Sequence, residues 1–510
     1  MDMTGSYPVG GARNVGGMPS SDPAQENRAD QRTPDAVPEP VDDQVTTQHV
    51  LAVGRRKLKY TATTGRVVVR QEVTTDGKFS HVPKASVFTT AYTLDDADPA
   101  TRPVTFAFNG GPGSSSTWLH LGVLGPRRVL SGDADELAKP PYGLADNAES
   151  LLAHSDLVFI DPMSTGYTRP VNGEGAEDHL GFKGDLESVG EVIRLWTTRN
   201  GRWLSPKFLA GESYGTTRAG GLALHLQQRH GMYLNGLMLI SSVLDFRTLS
   251  FDEGNDLPYA LFLPSYAAIA HHHGLHGDRA LADVLAEAEE FAAKDYQWAL
   301  AQGARLSTEE RAAAVAKVAA LTGLTEDYVD RVDLRIEHMR FFAEVLRPQR
   351  RTVGRLDGRF TGWAHDYAKE NAVDDPAAAA ITGAYTAAIN HYLRAELEYT
   401  NDLAYEVLSV DAHKAWSYKE FENSHVTVTD RLAAAMRANP HLKVHVASGY
   451  TDGATPYFAT EHSLAHLAIP AELRGNIEVK YYPAGHMMYV HEPSRVQQSK
   501  DLAAFVRASS

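Results

Sequence analysis

From Thr46 to Ala91, apolar and polar residues alternate in short runs, Leu58–Tyr60, Arg66–Val73 and Ala85–Ala91 among them, split by glycines and by Asp76-Gly77. Asp-Gly between such runs favours a tight hairpin turn, so the pattern predicts an opening antiparallel meander. Downstream the alternation gives way to compact apolar or β-branched runs: Pro103–Phe108, Leu157–Ile160, Phe208–Ala210, Leu237–Ile240, Val444–Ala447 and Ile477–Tyr482. Short, wholly apolar runs fit strands covered on both faces, and the helical stretches between several of them predict a doubly wound, mostly parallel α/β sheet.

Between about Phe251 and Asn401 no strand is predicted, and Ala, Leu and Glu recur at helical spacing. Ser307 and Glu310 are spaced as a capping box ahead of Arg311–Leu321, and Thr325 is placed to cap a helix running through Tyr328, Val332 and Ile336. This stretch reads as a helical insertion between two strands, a lid over the C-terminal edge of the sheet. The expected organisation is a disordered arm over residues 1–45, a first part of the core over 46–250, the insertion over 251–401 and the rest of the core over 402–510.

Composition narrows the function. With 510 residues and 43% hydrophobic content, the chain exceeds what one core of about 250–300 residues takes up, which leaves room for an accessory unit. The Gly-, Pro- and Ser-rich arm has no apolar h-region, so a cytoplasmic location is expected, and no apolar run reaches the roughly 18 residues of a membrane span. A net charge of −15 disfavours nucleic acid and anionic lipid as partners. The absence of cysteine removes disulfides, thiolate metal sites and a catalytic Cys, so any covalent nucleophile is an oxygen or an amine. His271, His272, His273 and His276 have the donor type for a metal but no acidic or Cys partner at helical spacing, and read as an exposed lid turn; neither metal nor cofactor is called for. Arg347, Arg350, Arg351, Arg355 and Arg359 read as solvated charge on a linker, with an anion site as the alternative.

Gly211-Glu212-Ser213-Tyr214-Gly215 is a G-x-S-x-G motif between a predicted strand and a predicted helix, Thr216–Gln228. A strand-to-helix elbow needs glycine on both flanks because its backbones approach closely, and it leaves the serine hydroxyl exposed at the helix N-terminus. A serine hydroxyl needs a base to take its proton and a third group to orient that base. Asp452, just past the strand in Val446–Asp452, and His486, in the Gly-His turn after Tyr481-Tyr482, fall on adjacent loops at the edge where Ser213 emerges; His491 is the rival base. The loop Asn109-Gly110-Gly111-Pro112-Gly113-Ser114-Ser115 follows a buried strand and can aim amides at one point, as an oxyanion requires. The candidate donors are the N–H groups of Gly111 and Tyr214, and a phosphate cradle is disfavoured because no Gly-Lys-Ser/Thr follows.

NGGPGSSS, GESYG, DGATP and GHMMYVHEP, in this order, resemble the serine carboxypeptidases of α/β-hydrolase fold, from about Phe106 to the C-terminus. The resemblance implies Ser213 as nucleophile, Asp452 and His486 as its partners, and Gly111 and Tyr214 as oxyanion donors. It also implies that Asn109, with Gly110 beside it, and Glu212 hold the terminal carboxylate of a peptide substrate. Several residues depart from the family pattern: Phe108 stands for its usual Trp, Ser114 for its Cys, Asp161-Pro162 for Asp-Gln-Pro, and Val123 for a second glutamate. With that acid missing, Arg127 or Arg128 is the expected substitute, neutralising Glu212 or gripping the carboxylate bidentately.

The leading expectation is therefore a hydrolase that removes C-terminal residues from peptides with a free C-terminus through an acyl-enzyme. The alternatives are an acyltransferase or small ester and amide hydrolase using the same triad, and a binding module with a defunct site. No oligomeric state is implied.

Overall fold

The alternating runs at the start of the chain form a long antiparallel ribbon of β1 (Asp43–Val53), β2 (Arg56–Thr75) and β3 (Lys78–Leu94). The computed structural model describes residues 39–171 and 173–510. The expected disordered arm lies outside these residues except at its end, where pairing with β2 already begins at Asp43. The strands outrun the short runs read from the sequence because their outer ends, such as Arg70–Thr75 against Lys78–Pro83, are largely exposed and carry little apolar signal. At their turn, Asp76 and Gly77 take φ of 50° and 73°, the primed geometry this dipeptide favours.

Each compact apolar run becomes a strand: β4 (Val104–Phe108), β5 (Asp156–Ile160), β6 (Lys207–Ser213), β7 (Gly236–Ser242), β8 (Lys443–Gly449) and β9 (Ile477–Tyr482). They pair in the order β1-β2-β3-β5-β4-β6-β7-β8-β9, antiparallel as far as β5 and parallel from there on. The doubly wound sheet with antiparallel N-terminal strands is thus present. Successive side chains of one strand point to opposite faces. Phe208, Met238 and Phe159 accordingly join one apolar layer, and their neighbours Leu209, Leu237 and Val158 join the other. Burial on both faces is why the inner strands, such as β4 and β5, read as continuous apolar runs, whereas β9 at the edge of the sheet is largely half-exposed and carries Glu478 and Lys480.

Between β7 and β8, the helices Leu257–His272, Leu281–Phe291 and Thr308–Thr322 pack around their own cluster, which includes Phe262, Tyr266, Phe291, Val318 and Phe342. The helix Pro376–Ala395 instead adds Tyr385, Ile389 and Tyr392 to a layer of the sheet. The capping box at Ser307 and Glu310 is formed on both sides. Thr325 does cap a helix, but that helix stops at Arg331, because Asp333 and Leu334 take left-handed φ of 53° and 63° and turn Ile336 into the core. A two-residue hairpin, Thr352–Val353 with Thr361–Gly362, appears where no strand was predicted. Among the described residues no helix is long and apolar enough to cross a membrane.

Candidate active site

Four loops meet at the C-terminal ends of the central strands, where open α/β sheets place ligands. Ser213 ends β6 and starts the helix Tyr214–His230. Its φ of 59° and ψ of −129° are strained for a residue with a side chain, and it is partly exposed although its neighbours Glu212 and Tyr214 are buried. The flanking glycines are there for space. A Cβ on Gly211 would meet the carbonyl oxygen of Gly215 at 2.2 Å, and one on Gly110 would meet the N–H nitrogens of Tyr214 and Gly215 at 2.4 and 2.7 Å. Close packing of the Asn109–Gly113 loop on the elbow therefore depends on glycine.

Asp452 lies just beyond β8 and is fully buried. One carboxylate oxygen accepts the N–H groups of Ala454 (2.7 Å) and Thr455 (2.9 Å); the other accepts the Thr455 hydroxyl (2.7 Å) and faces His486 Nδ1 at 2.8 Å. A carboxylate only accepts, so Nδ1 carries the proton and Nε2 is left as the basic nitrogen. Burial pulls the His486 pKa down, but the Asp452 carboxylate and its hydrogen bond, with Glu212 beyond, outweigh burial and leave it above the ordinary histidine value. The His486 loop is tied to the elbow through β7: Ser241 donates to the His486 carbonyl, and Ser242 pairs with Ser213. The rival His491 bonds Ser494 at the start of the last helix and does not meet Asp452.

Asn109 follows β4 directly. Its Oδ1 accepts the Leu119 N–H (3.0 Å), and its Nδ2 donates to Glu212 Oε1 (2.8 Å). The other oxygen of Glu212 accepts the Tyr489 hydroxyl at 2.7 Å. Burial dominates this carboxyl and raises its pKa to about 7, against the nearby His486 and the two donors. Glu212 is thus able to carry a proton near neutrality, and among the described residues no arginine or lysine forms an ion pair with it.

The expectation that Arg127 or Arg128 serves Glu212 is corrected by the structure. Both lie on the strand Arg127–Leu130, where Arg127 pairs with Asp146 and Glu396, and Arg128 pairs with Glu492. Val123 is buried in an apolar layer. The basic stretch is not solvated linker charge either: Arg359 is buried against Asp357 and Asp133, and Arg347 bonds Glu344 and the carbonyls of Tyr367 and Lys369. In the histidine tract, His271, His273 and His276 each direct Nε2 to a backbone carbonyl. Two residues at the site escaped the sequence reading, Thr455 and Tyr489, although both stand inside the quoted motifs DGATP and GHMMYVHEP.

Comparison with known proteins agrees with the motifs. The family model for serine carboxypeptidases matches residues 84–506. Over 167 residues the chain is 29% identical to the pheromone-processing carboxypeptidase KEX1 of Yarrowia lipolytica, a stretch covering 31% of this chain and 24% of that protein. The chain therefore spans about a quarter of that relative's length. The fold matches the crystal structure of Kex1(delta)p, a prohormone-processing carboxypeptidase from Saccharomyces cerevisiae, with a TM-score of 0.53 and 14% identity over 87% of this chain and 91% of that one.

Proposed function

The chain belongs to the serine carboxypeptidase family, and from that premise we propose that it removes C-terminal residues from peptides through an acyl-enzyme on Ser213. The observation that carries this reading is the Asp452–His486 contact at 2.8 Å, on the same strand edge as a serine held at positive φ. In the proposed reaction, Ser213 Oγ attacks the carbonyl carbon of the last peptide bond while His486 Nε2 takes the hydroxyl proton. Asp452 stabilises the imidazolium that forms. The N–H groups of Gly111 and Tyr214 receive the developing oxyanion. When the tetrahedral intermediate collapses, the C–N bond breaks and His486 returns the proton to the leaving amino acid's nitrogen. Water then attacks the Ser213 ester with His486 as base, which releases the shortened peptide and restores the serine.

Carboxylate recognition in this reading falls to Asn109 and to Glu212 in its protonated form, with Gly110 keeping their loop tight against the elbow. The insertion acts as a cover. Its support is the segment Arg355–Gly358, whose backbone bonds both the Asp452 and the His486 loops. The test is mass spectrometry of a peptide mixture incubated with wild type and with Ser213→Ala. Stepwise loss of C-terminal residues in wild type only, with a rate falling by a factor on the order of 10⁶ in the variant, is expected. Fluorophosphonate labelling of Ser213 without any C-terminal trimming would refute the carboxypeptidase reading in favour of acyl transfer or small-ester hydrolysis.

A further inference from the structure

Of the five arginines between Arg347 and Arg359, four have partners within the protein. Arg347 and Arg359 are held by carboxylates, Arg350 lies over the Tyr367 ring, and Arg351 donates to Thr361 and lies over the Trp363 ring at 4.5 Å. The fifth, Arg355, is half-buried, and among the described residues its side chain makes no hydrogen bond and no ion pair.

Its backbone is fixed between the two triad loops. The Arg355 carbonyl accepts the Gly453 N–H (3.0 Å), next to Asp452, and the following Leu356 carbonyl accepts the N–H of His486 (2.6 Å). Two acids at this segment are spent elsewhere: Asp375 takes the N–H groups of Arg355 and Leu356 and caps a helix, and Asp357 is held by Arg359 and Thr451. The guanidinium charge reaches the site. After burial, which dominates, it is the other influence holding His338 down to about 3, and it opposes the rise at His486. A half-buried guanidinium has given up hydration without gaining a counter-charge, and its planar fork fits a carboxylate bidentately.

We propose that Arg355 is a substrate-binding residue that takes a carboxylate of the peptide in the cleft beside Ser213 and His486. This rests on the carboxypeptidase reading. The carboxylate has two sources, an acidic side chain on the residue whose carbonyl is attacked, or the terminal α-carboxylate.

The experiment measures kcat and KM for blocked dipeptides in wild type, Arg355→Gln, Arg355→Lys and Arg355→Glu. One pair of substrates carries Glu or Gln on the acyl side; a second pair ends in a free acid or an amide. If the side chain is the source, wild type prefers Glu over Gln, mainly through KM. That preference falls at least about tenfold in Arg355→Gln, is partly kept by Arg355→Lys, and turns against Glu in Arg355→Glu. If the α-carboxylate is the source, the same collapse appears in the free-acid to amide ratio instead. Should Arg355→Gln fail to fold, Arg355→Lys and wild type carry the comparison. Both ratios unchanged, or a uniform loss of rate with both ratios kept, overturns the inference and leaves the peptidase reading standing. A wild type that trims none of these peptides yet labels at Ser213 overturns both.

Discussion

Replacing Glu212 by Gln should make the protein more stable at neutral and alkaline pH while removing a limb from its pH–activity curve. In the folded protein the carboxyl pKa is about 7, against an ordinary 4.5, and burial is the main cause. Below the unfolded value both states hold the proton and nothing is lost. As pH rises from about 4.5 to about 7 the unfolded chain gives up its proton and the folded one keeps it, so stability falls through that window. Above it the loss is complete, and at about 1.4 kcal/mol per pH unit it amounts to about 3 kcal/mol. A neutral Gln does not titrate. Denaturant unfolding of wild type and Glu212→Gln at several pH values checks this: the stability difference should grow by about 3 kcal/mol in favour of the variant between pH about 4.5 and about 8. The same residue should set the alkaline limb for free-acid peptides, because an ionised Glu212 repels the incoming carboxylate, and in the variant that limb should vanish. A difference flat in pH, or one favouring wild type as pH rises, would refute a proton held on Glu212.

Tyr489→Phe keeps the ring that packs on Gly122 but removes the hydroxyl donor to Glu212, so the carboxylate form loses about 1–2 kcal/mol of support and the alkaline limb should rise by about one pH unit. Profiles of kcat/KM against pH for a free-acid peptide and a neutral ester check it; a limb that stays or falls contradicts the assignment. Gly110→Ala forces a methyl group into the backbone nitrogens of Tyr214 and Gly215, neither able to yield as a flexible side chain would. The resulting shift of the oxyanion loop should cut kcat on a small ester by about 100-fold, and wild-type turnover would show that the loop does not serve the reaction.

How much of this was legible in the sequence depended on how local each cause is. A strand covered on both faces carries a mostly apolar run, so β4 to β8 announced themselves by their apolar segments even though β6 and β8 also bury Lys207, Glu212 and His445. The ribbon of β1 to β3 did not, since its ends are held by backbone pairing with exposed side chains, and pairing leaves no mark on composition. The helix after Thr325 misled for a related reason. Tyr328, Val332 and Ile336 have helical spacing and Tyr328 and Ile336 are buried, but the buried positions beyond Arg331 are reached through a left-handed turn rather than another turn of helix. Spacing reports which residues face the core, and a turn satisfies it as well as a helix.

The same distinction separates the site residues. Ser213, Gly110 and Gly211 were readable because the elbow imposes its demand on the residues themselves: positive φ and backbones too close for a Cβ. Charge compensation works differently, since any residue of suitable chemistry meets the need from any distance along the chain. Arg127 and Arg128 follow Val123 by a few positions, yet the strand they occupy pairs with Gly143–Asp146, which ties Arg127 to Asp146 and to the helix-end Glu396. Glu212 is served instead by Tyr489, 277 positions away, and by Asn109, 103 positions away. Neither partner brings charge. For a buried carboxyl bonded only to neutral donors, burial outweighs those donors and the nearby His486, so the proton is held up to about pH 7. Valine at position 123 therefore does not call for a cation at Glu212, and Arg355, whose side chain makes no hydrogen bond or ion pair among the described residues, stands on a different loop, bonded through its backbone to the Asp452 loop.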